Sequence, residues 1–189
     1  VSHDAAYLEK EGVHLFIDPG GGGSAYAVLA VQVIDGQVRI VDEIYERNLT
    51  HDDIITLAQR RSWWKDVQSG CIDVAGRAHT GQESAIEVWM AKTGLPLTSQ
   101  YIHVDDGIQR VKTYLKLDPR TGYPGLIVNP KCRGLIAEMG AGPHPFPDGG
   151  PYLYKVDSSG YVVSEKPVPK NNHSCSALAY GLVDMFGYV

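Results

Sequence analysis

Two aspartates stand at the ends of apolar segments, where a carboxylate is costly to bury. Asp18 ends the run VHLFID, and Asp73 ends the run SGCID. An ionised carboxylate at the inner end of a strand requires a cation or a hydrogen-bond network to compensate its charge. Oxygen ligands with open positions for water suit Mg²⁺ or Mn²⁺. The two residues are therefore candidate catalytic residues and metal ligands, provided that the fold places them together.

Four consecutive glycines, 20–23, follow the first of these aspartates. Glycine tolerates positive φ and carries no side chain, so a phosphate or a metal-bound substrate can approach the backbone closely there. The alternative interpretation is a hairpin turn with a solvated Asp18, and Asp73 has a matching alternative as a strand-end residue near a helix start. Both interpretations stay open on these two stretches alone.

The spacing of apolar residues predicts which segments position these aspartates. A two-residue period predicts strands, and a 3.6-residue period predicts helices. The predicted strands are two within 13–35 and then 37–45, 69–74, 95–104 and 125–129. The predicted helices are 51–65, 80–93, 106–115, 132–139 and 174–186, with an irregular loop at 140–151 and a small hairpin within 152–164.

This order of elements predicts an α/β fold of the ribonuclease H-like type. We expect a mixed five-stranded sheet flanked by helices, with a small accessory β-hairpin. In such a sheet the first and fourth strands are neighbours, so Asp18 and Asp73 would face each other at its rim. Two carboxylates held together repel each other unless a hard cation lies between them.

Length and composition predict one compact domain over residues 1–189, because 43% of the residues are hydrophobic. The net charge of −5 excludes a protein that coats nucleic acid electrostatically. No apolar run approaches the ~20 residues that a membrane span requires, so we expect no membrane association. The three cysteines lie far apart without a C-x-x-C pair, which argues against a disulfide framework and a zinc knuckle.

Six segments spread over nearly the whole chain carry a family resemblance. They are FIDPGGGGSAYAV, VDEIYERNLTHDDI, CIDVAG, GIQRVKTYLK, LIVNPKCRGLIAEM and PVPKNNHSCSALAYGL. Together they cover about 15–182 and resemble the nuclease domain of the large terminase subunit of tailed bacteriophages. The last segment is the most specific, because the family typically shows Lys, then Asn-Asp-His, two residues and an Asp-Ala-Leu-x-Tyr helix. The matching residues are Lys170, Asn171, His173, Ala177, Leu178 and Tyr180, whereas Asn172 and Ser176 stand where the family usually has Asp.

The resemblance implies a divalent-metal-dependent DNA endonuclease that cuts concatemeric viral DNA during genome packaging, by phosphodiester hydrolysis of the two-metal type. It implies Mg²⁺ or Mn²⁺ held by Asp18 and Asp73, with His173 as a further ligand and Ser176 at the position of the family's third acid. The implied partners are double-stranded DNA, the terminase small subunit and the portal protein, in the host cytoplasm. We expect the isolated domain to be monomeric.

The resemblance also implies a larger parent protein. The family enzyme carries an N-terminal packaging ATPase, and no G-x-x-x-x-G-K-[ST] motif occurs in this chain. We therefore expect the chain to be a C-terminal fragment of a terminase. Packaging ATP hydrolysis cannot come from these residues.

Five basic residues are candidates for contact with DNA phosphates. Because the chain is acidic overall, such contact must be local. The alternative interpretation is solvated helix faces. The candidates are Arg110, Lys112, Lys131, Arg133 and Lys170.

Other functional classes remain open on sequence alone. A non-catalytic DNA-binding or docking module of the packaging motor would explain the loss of acids at Asn172 and Ser176. A Holliday-junction resolvase of the RuvC type shares the strand-one aspartate. An ATPase of the actin type also uses an Asp followed by a glycine hairpin, but the short length and the absence of a second such hairpin argue against it.

Overall fold

The computed structural model describes residues 5–20, 23–73 and 83–189, apart from the side chain of Glu165. Its strands are β1 Val13–Asp18, β2 Tyr26–Ile34, β3 Gln37–Glu46, β4 Val67–Ile72, β5 Leu97–Thr98, β6 Leu126–Val128, β7 Tyr154–Val156 and β8 Val162–Pro167. Its helices are α1 His51–Gln59, α2 Ala85–Thr93, α3 Val104–Leu115, α4 Arg133–Glu138 and α5 His173–Phe186, with a short 3₁₀ helix at Trp64–Asp66. Glycines 21 and 22 and the predicted start of the second helix at 80–82 lie outside the described residues.

The described strands form a mixed sheet in the order β5-β4-β1-β2-β3-β6. β1, β2 and β3 form an antiparallel meander, whereas β4, β5 and β6 run parallel to their neighbours. The predicted fold class and the predicted contact between the first and fourth strands are confirmed. The sheet has six strands rather than the expected five, and its two short edge strands, β5 and β6, lie within the segments 95–104 and 125–129 that were predicted as strands. β7 and β8 form the predicted separate hairpin.

Two predicted elements are shorter than expected, each because a side chain redirects the backbone. The helix predicted over 51–65 ends at Gln59, and Trp63 then turns into the core and donates its indole N–H to Asp42 Oδ2 at 2.7 Å. The strand predicted over 95–104 is limited to Leu97–Thr98. Thr98, the last residue of β5, and Gln100 beyond it donate hydrogen bonds to the carboxylate of Asp184 on α5, which directs this segment towards the helix.

Helices cover both faces of the sheet because alternate strand residues point to opposite sides. Leu15 and Ile17 of β1 pack with residues of α1 and α2 in one core cluster. Phe16 belongs to the opposite cluster, together with residues of α4 and α5 such as Leu135 and Leu178. α5 therefore lies on the same side of the sheet as Phe16. Among the described residues, no helix combines the length and apolar character needed to cross a membrane.

A glycine on α5 determines how closely this helix lies on β1. A Cβ atom added to Gly181 would overlap the ring of Phe16, which is itself buried in the core. Because tightly packed interiors have no spare volume, any side chain here would lift α5 from the strand. The close approach places the first turn of α5 next to the end of β1.

Replacing Gly181 with Ala should lower the free energy of unfolding by ~1–3 kcal/mol, because the added methyl group overpacks the helix–strand contact. Chemical denaturation followed by circular dichroism measures this. The double variant Gly181→Ala with Phe16→Leu is the control, since the smaller side chain makes room for the methyl group. Equal losses in the single variant and the double variant would contradict the proposed overlap.

Candidate active site

The two predicted aspartates lie side by side at the carboxyl ends of the neighbouring parallel strands β1 and β4. Ile17 pairs with Ile72 across these parallel strands, and the backbone N–H of Asp73 donates to Ile17 O at 2.9 Å. The same register, extended by one residue, sets Asp18 level with Asp73 on strands ~4.8 Å apart. Asp18 is only 6% exposed. The predicted juxtaposition is therefore present, while the role of both residues as metal ligands stays a prediction.

The carboxylate of Asp18 contacts both the glycine turn and the start of α5. Its Oδ1 accepts a hydrogen bond from the N–H of Gly20 at 2.8 Å and lies 3.4 Å from Nδ1 of His173. Gly20 has φ +58°, and a Cβ atom there would collide with the carbonyl of Ala25. Only glycine fits this conformation, and it allows the N–H of residue 20 to reach the carboxylate of Asp18.

His173 is the first residue of α5 and faces Asp18, while its role as a metal ligand stays a prediction. Burial by itself lowers the pKa of His173. The hydrogen bond to Asp18 and the negative charges of Asp18 and Glu138 outweigh this, so the pKa lies above its ordinary value. A carboxylate–imidazole pair therefore forms where β1 meets α5.

The two positions that lack the family's acids are joined by a neutral hydrogen bond. The amide nitrogen of Asn172 donates to the hydroxyl of Ser176 at 3.1 Å, across the first turn of α5. Within residues 5–20, 23–73 and 83–189, no cluster of three or more His, Cys, Asp or Glu side chains is arranged to hold a metal ion. The first turn of α5 thus contributes neutral oxygen and nitrogen atoms in place of a third carboxylate.

A buried glutamate that sequence analysis missed holds the start of α5. Glu138 is 1% exposed and lies at the end of α4. Its carboxylate accepts hydrogen bonds from the backbone N–H groups of His173 at 3.0 Å and Cys175 at 2.8 Å, and from the hydroxyl of Tyr45 at 2.7 Å. The first N–H groups of a helix have no partner within it, so Glu138 satisfies donors that would otherwise be buried alone.

A second buried glutamate, Glu43 of β3, does the same for α4. Its carboxylate accepts hydrogen bonds from the N–H groups of Gly134 at 2.7 Å and Leu135 at 2.8 Å, and from the hydroxyl of Ser174 at 2.6 Å. Burial raises the pKa of both Glu43 and Glu138, more than their hydrogen bonds lower it. The two carboxylates link β3, α4 and α5 into one unit behind the aspartates.

The predicted loop at 140–151 packs against this unit. His144 lies 3.1 Å from the Tyr45 hydroxyl through its Nε2, and the ring of Phe146 stacks on Tyr45 with centroids 5.5 Å apart. Arg47 lies over the Phe146 ring and forms an ion pair with Asp148 at 2.6 Å. The loop is irregular, as predicted, but it is attached to β3 by several side chains.

The five basic candidates for DNA contact differ in their exposure and in their contacts with the rest of the protein. The guanidinium of Arg110 donates to the backbone carbonyls of Phe186, Gly187 and Tyr188, so it ties the last residues of the chain to α3. Lys131 lies 3.4 Å from Asp42 Oδ1. The remaining candidates are Lys112, Arg133 and Lys170, which are all exposed. DNA contact by any of the five stays a prediction.

If Asp18 and Asp73 are metal ligands, their two carboxylates suit a single hard dication better than a pair of them. Asp18 and Asp73 supply two carboxylates, and Mg²⁺ is commonly bound by one or two carboxylates together with water and substrate phosphates. The neutral Asn172–Ser176 pair offers no third negative charge for a second ion. We therefore expect one strongly held ion, with any second ion bound more weakly.

Replacing Glu138 with Gln should lower the free energy of unfolding by at least ~1–3 kcal/mol, because the amide group sets its own N–H against a buried backbone donor. Since the pKa of Glu138 is raised above 4.5 in the folded state, its contribution to stability is present at low pH and is lost as the pH rises. The variant should therefore lose less stability than the wild type between about pH 4.5 and neutral pH.

Urea denaturation over this pH range measures both effects. Glu46→Gln is the matched control, because Glu46 lies exposed at the end of β3. Equal stability and equal pH dependence in the two variants would show that Glu138 does not hold the start of α5.

Solved structures with the same fold are large terminases and their nuclease domains. The large terminase of a thermophilic bacteriophage, in complex with ADP, matches with a TM-score of 0.69 at 15% identity, over 97% of this chain and 42% of that protein. The g2p nuclease domain of bacteriophage SPP1, with bound Mn, matches with a TM-score of 0.62 at 12% identity, over 94% of this chain and 89% of that domain. The large terminase nuclease of thermophilic phage G20c, with bound magnesium, matches with a TM-score of 0.55 at 13% identity, over 94% of this chain and 83% of that one.

No protein-family model matches the sequence, and comparison with curated protein sequences finds no significant match. The likeness is therefore one of fold. It covers nearly all of this chain but only about 42% of the ADP-bound terminase. The chain has the fold of the nuclease domains of bacteriophage large terminases.

Proposed function

We propose that this chain is the nuclease domain of a phage large terminase and that it hydrolyses phosphodiester bonds of double-stranded DNA with Mg²⁺ or Mn²⁺. The observation that carries the proposal is the pair Asp18 and Asp73, level with each other at the ends of two adjacent parallel strands. Two solved domains of the same fold contain Mn or magnesium. Their presence supports a divalent ion as the cofactor of this fold.

The residues at this edge have distinct tasks in such a reaction. A bound dication lowers the pKa of water and offsets charge on a phosphate. Asp18 and Asp73 would hold the ion, and His173 restrains the carboxylate of Asp18 through their contact at 3.4 Å. Glu138 keeps His173 in place by binding its backbone N–H. The glycine turn after Asp18 leaves the approach free of side chains, so a DNA backbone can come close.

The biological setting is part of the same proposal. A terminase nuclease domain would cut concatemeric viral DNA into genome lengths in the host cytoplasm. It would act within a larger chain that also meets the small subunit and the portal protein. The fraction of the ADP-bound terminase that this chain spans, 42%, is compatible with a separate packaging ATPase in the remainder.

One observation favours a second candidate, a DNA-binding or docking module without catalysis. Asn172 and Ser176, which stand where the resemblance implies acids, are neutral and are hydrogen-bonded to each other. Each missing carboxylate removes a negative charge, which weakens the attraction for a dication. The two candidates differ in whether the remaining pair, Asp18 and Asp73, suffices for cleavage.

Asp18→Asn and Asp73→Asn should each reduce cleavage of supercoiled plasmid by at least about 100-fold, since even changes outside the direct ligands of a metal cost 10–100-fold. Each variant removes a negative charge that offsets the ion. The assay follows relaxation and linearisation with Mn²⁺, with and without EDTA. Asp35→Asn is the matched control, because Asp35 lies exposed in the β2–β3 turn at φ +51°, a conformation that Asn accepts. Undiminished cutting by both site variants would contradict the assignment.

Ser176→Asp should strengthen Mn²⁺ binding by at least about tenfold, or about 1.4 kcal/mol, and should raise the cleavage rate, because it restores a carboxylate on the first turn of α5. Asn172→Asp tests the neighbouring position in the same way. Calorimetry gives the Mn²⁺ affinity, and plasmid cleavage gives the rate. Ser176→Asn, of similar volume without the charge, is the control. If neither acidic variant differs from this control, the first turn of α5 does not contribute to the metal site.

A further inference from the structure

A cavity of about 370 Å³ opens between α3, α5 and the β7–β8 hairpin, and the proposed reaction assigns no ligand to it. Much of its wall is apolar, with Ile108 and Val111 of α3 on one side and Leu178 of α5 on the other. Its volume falls in the range of ~300–1,000 Å³ that small-molecule sites occupy. The cavity is thus large enough to bind one small planar group.

The cavity borders the candidate active site, because Glu138, which binds the backbone N–H of His173, belongs to its lining. Asn172, Ser176 and Tyr180 also line it, and they lie at the N-cap and along the N-terminal part of α5. Burial raises the pKa of Tyr180, and the charges of Asp73 and Asp18 raise it further, so its hydroxyl lies in the field of both aspartates. A group bound in the cavity would therefore sit next to whatever these aspartates hold.

The chemistry of the wall suits a nucleobase. Tyr152 and Tyr154 join Tyr180 in the lining, and aromatic side chains stack with the faces of bases without regard to sequence. The amide of Asn172 and the hydroxyl of Ser176 offer donors and acceptors for the polar edge of a base. Lys112, exposed at the rim, provides the positive charge that a neighbouring phosphate requires.

We propose that this cavity receives one unpaired nucleobase of the DNA strand whose phosphodiester lies at Asp18 and Asp73. The inference rests on the proposed nuclease function, because that function places a DNA strand at the shared wall. Unstacking a base costs a few kcal/mol, and least where the base is already unpaired. The site therefore favours DNA that is frayed, mismatched or single-stranded beside the cut.

An apolar side chain of a protein partner is the competing occupant. Such a partner would use the walls of Ile108, Val111 and Leu178 alone. It would leave the three tyrosines, the Asn172 amide and the rim ammonium of Lys112 without a role. The position of the cavity beside the candidate active site, on the other side of Glu138, also favours the nucleotide.

The test compares two short single-stranded oligonucleotides of equal length and charge, one of thymidines and one with abasic sites throughout. Their affinities are measured by fluorescence anisotropy in EDTA, so that no cleavage takes place. The wild-type protein should bind the thymidine oligonucleotide about tenfold more tightly, because stacking is lost in the abasic one. Equal affinities would overturn the proposal.

Ile108→Trp should abolish the difference in affinity between the two oligonucleotides, because the larger side chain fills the cavity. Tyr154→Ala should reduce this difference, because it removes a stacking surface. Gln109→Trp, exposed on the same helix and outside the cavity lining, is the control and should keep the difference. Lys112→Ala should lower the affinity for both oligonucleotides to a similar extent, since a phosphate contact does not depend on the base. Thermal unfolding of each variant confirms that it is folded.

Retention of the full difference in Ile108→Trp and Tyr154→Ala would show that the base binds elsewhere and would leave an apolar protein side chain as the occupant. Plasmid cleavage in Mn²⁺ is measured separately on the wild type. If the protein prefers the thymidine oligonucleotide but does not cleave plasmid, the nuclease function is contradicted and the assignment of the cavity stands. If it cleaves plasmid but binds both oligonucleotides equally, the nuclease function stands and the assignment of the cavity is contradicted.

Discussion

The buried carboxylate of Glu138, at the end of α4, fixes the position of the start of α5. The arrangement of the candidate active site depends on this contact. The carboxylate accepts hydrogen bonds from two backbone N–H groups at the start of α5, including that of His173. Buried donors must be satisfied, and these have no partner within their own helix. The start of α5 is therefore fixed beside the end of β1, where His173 meets Asp18. Glu43 fixes the start of α4 in the same manner, so the support of the site is a chain of two glutamates.

The two kinds of carboxylate in this region differ in their hydrogen-bond partners and in their place in the fold. Glu138 and Glu43 each accept three hydrogen bonds from donors inside the protein, which compensates much of the cost of burying them. Asp18 and Asp73 instead stand where β1 and β4 end, next to a glycine turn. Asp18, although only 6% exposed, lies level with Asp73, and paired negative charge of this kind can attract a cation and, with it, a phosphate. The two glutamates build the scaffold behind the aspartates, whose part in any chemistry stays a prediction.

The sequence predicted the aspartates and the strand order because both depend on local patterns. Asp18 and Asp73 end apolar runs, and a meander followed by alternating helices and strands restricts the topology. Glu43 was not recognised because Val41 has no partner on β2, a bulge that reverses the alternation of β3. Glu43 and Tyr45 thereby face α5, whereas Asp42 faces Trp63. The role of Glu138 could not be predicted either, because two of its partners are backbone N–H groups of α5, and residue spacing carries no information about such contacts.

We propose that the ends of β1 and β4 hold a divalent cation and that Glu138 supports this site from behind. A crystal structure of the protein soaked in Mn²⁺, with the ion located by its anomalous scattering, tests this. We expect one strong peak within coordination distance, roughly 2.0–2.6 Å, of both Asp18 and Asp73, with water or phosphate oxygens completing the shell. A saturated crystal in which Mn²⁺ binds elsewhere, or not at all, would contradict it.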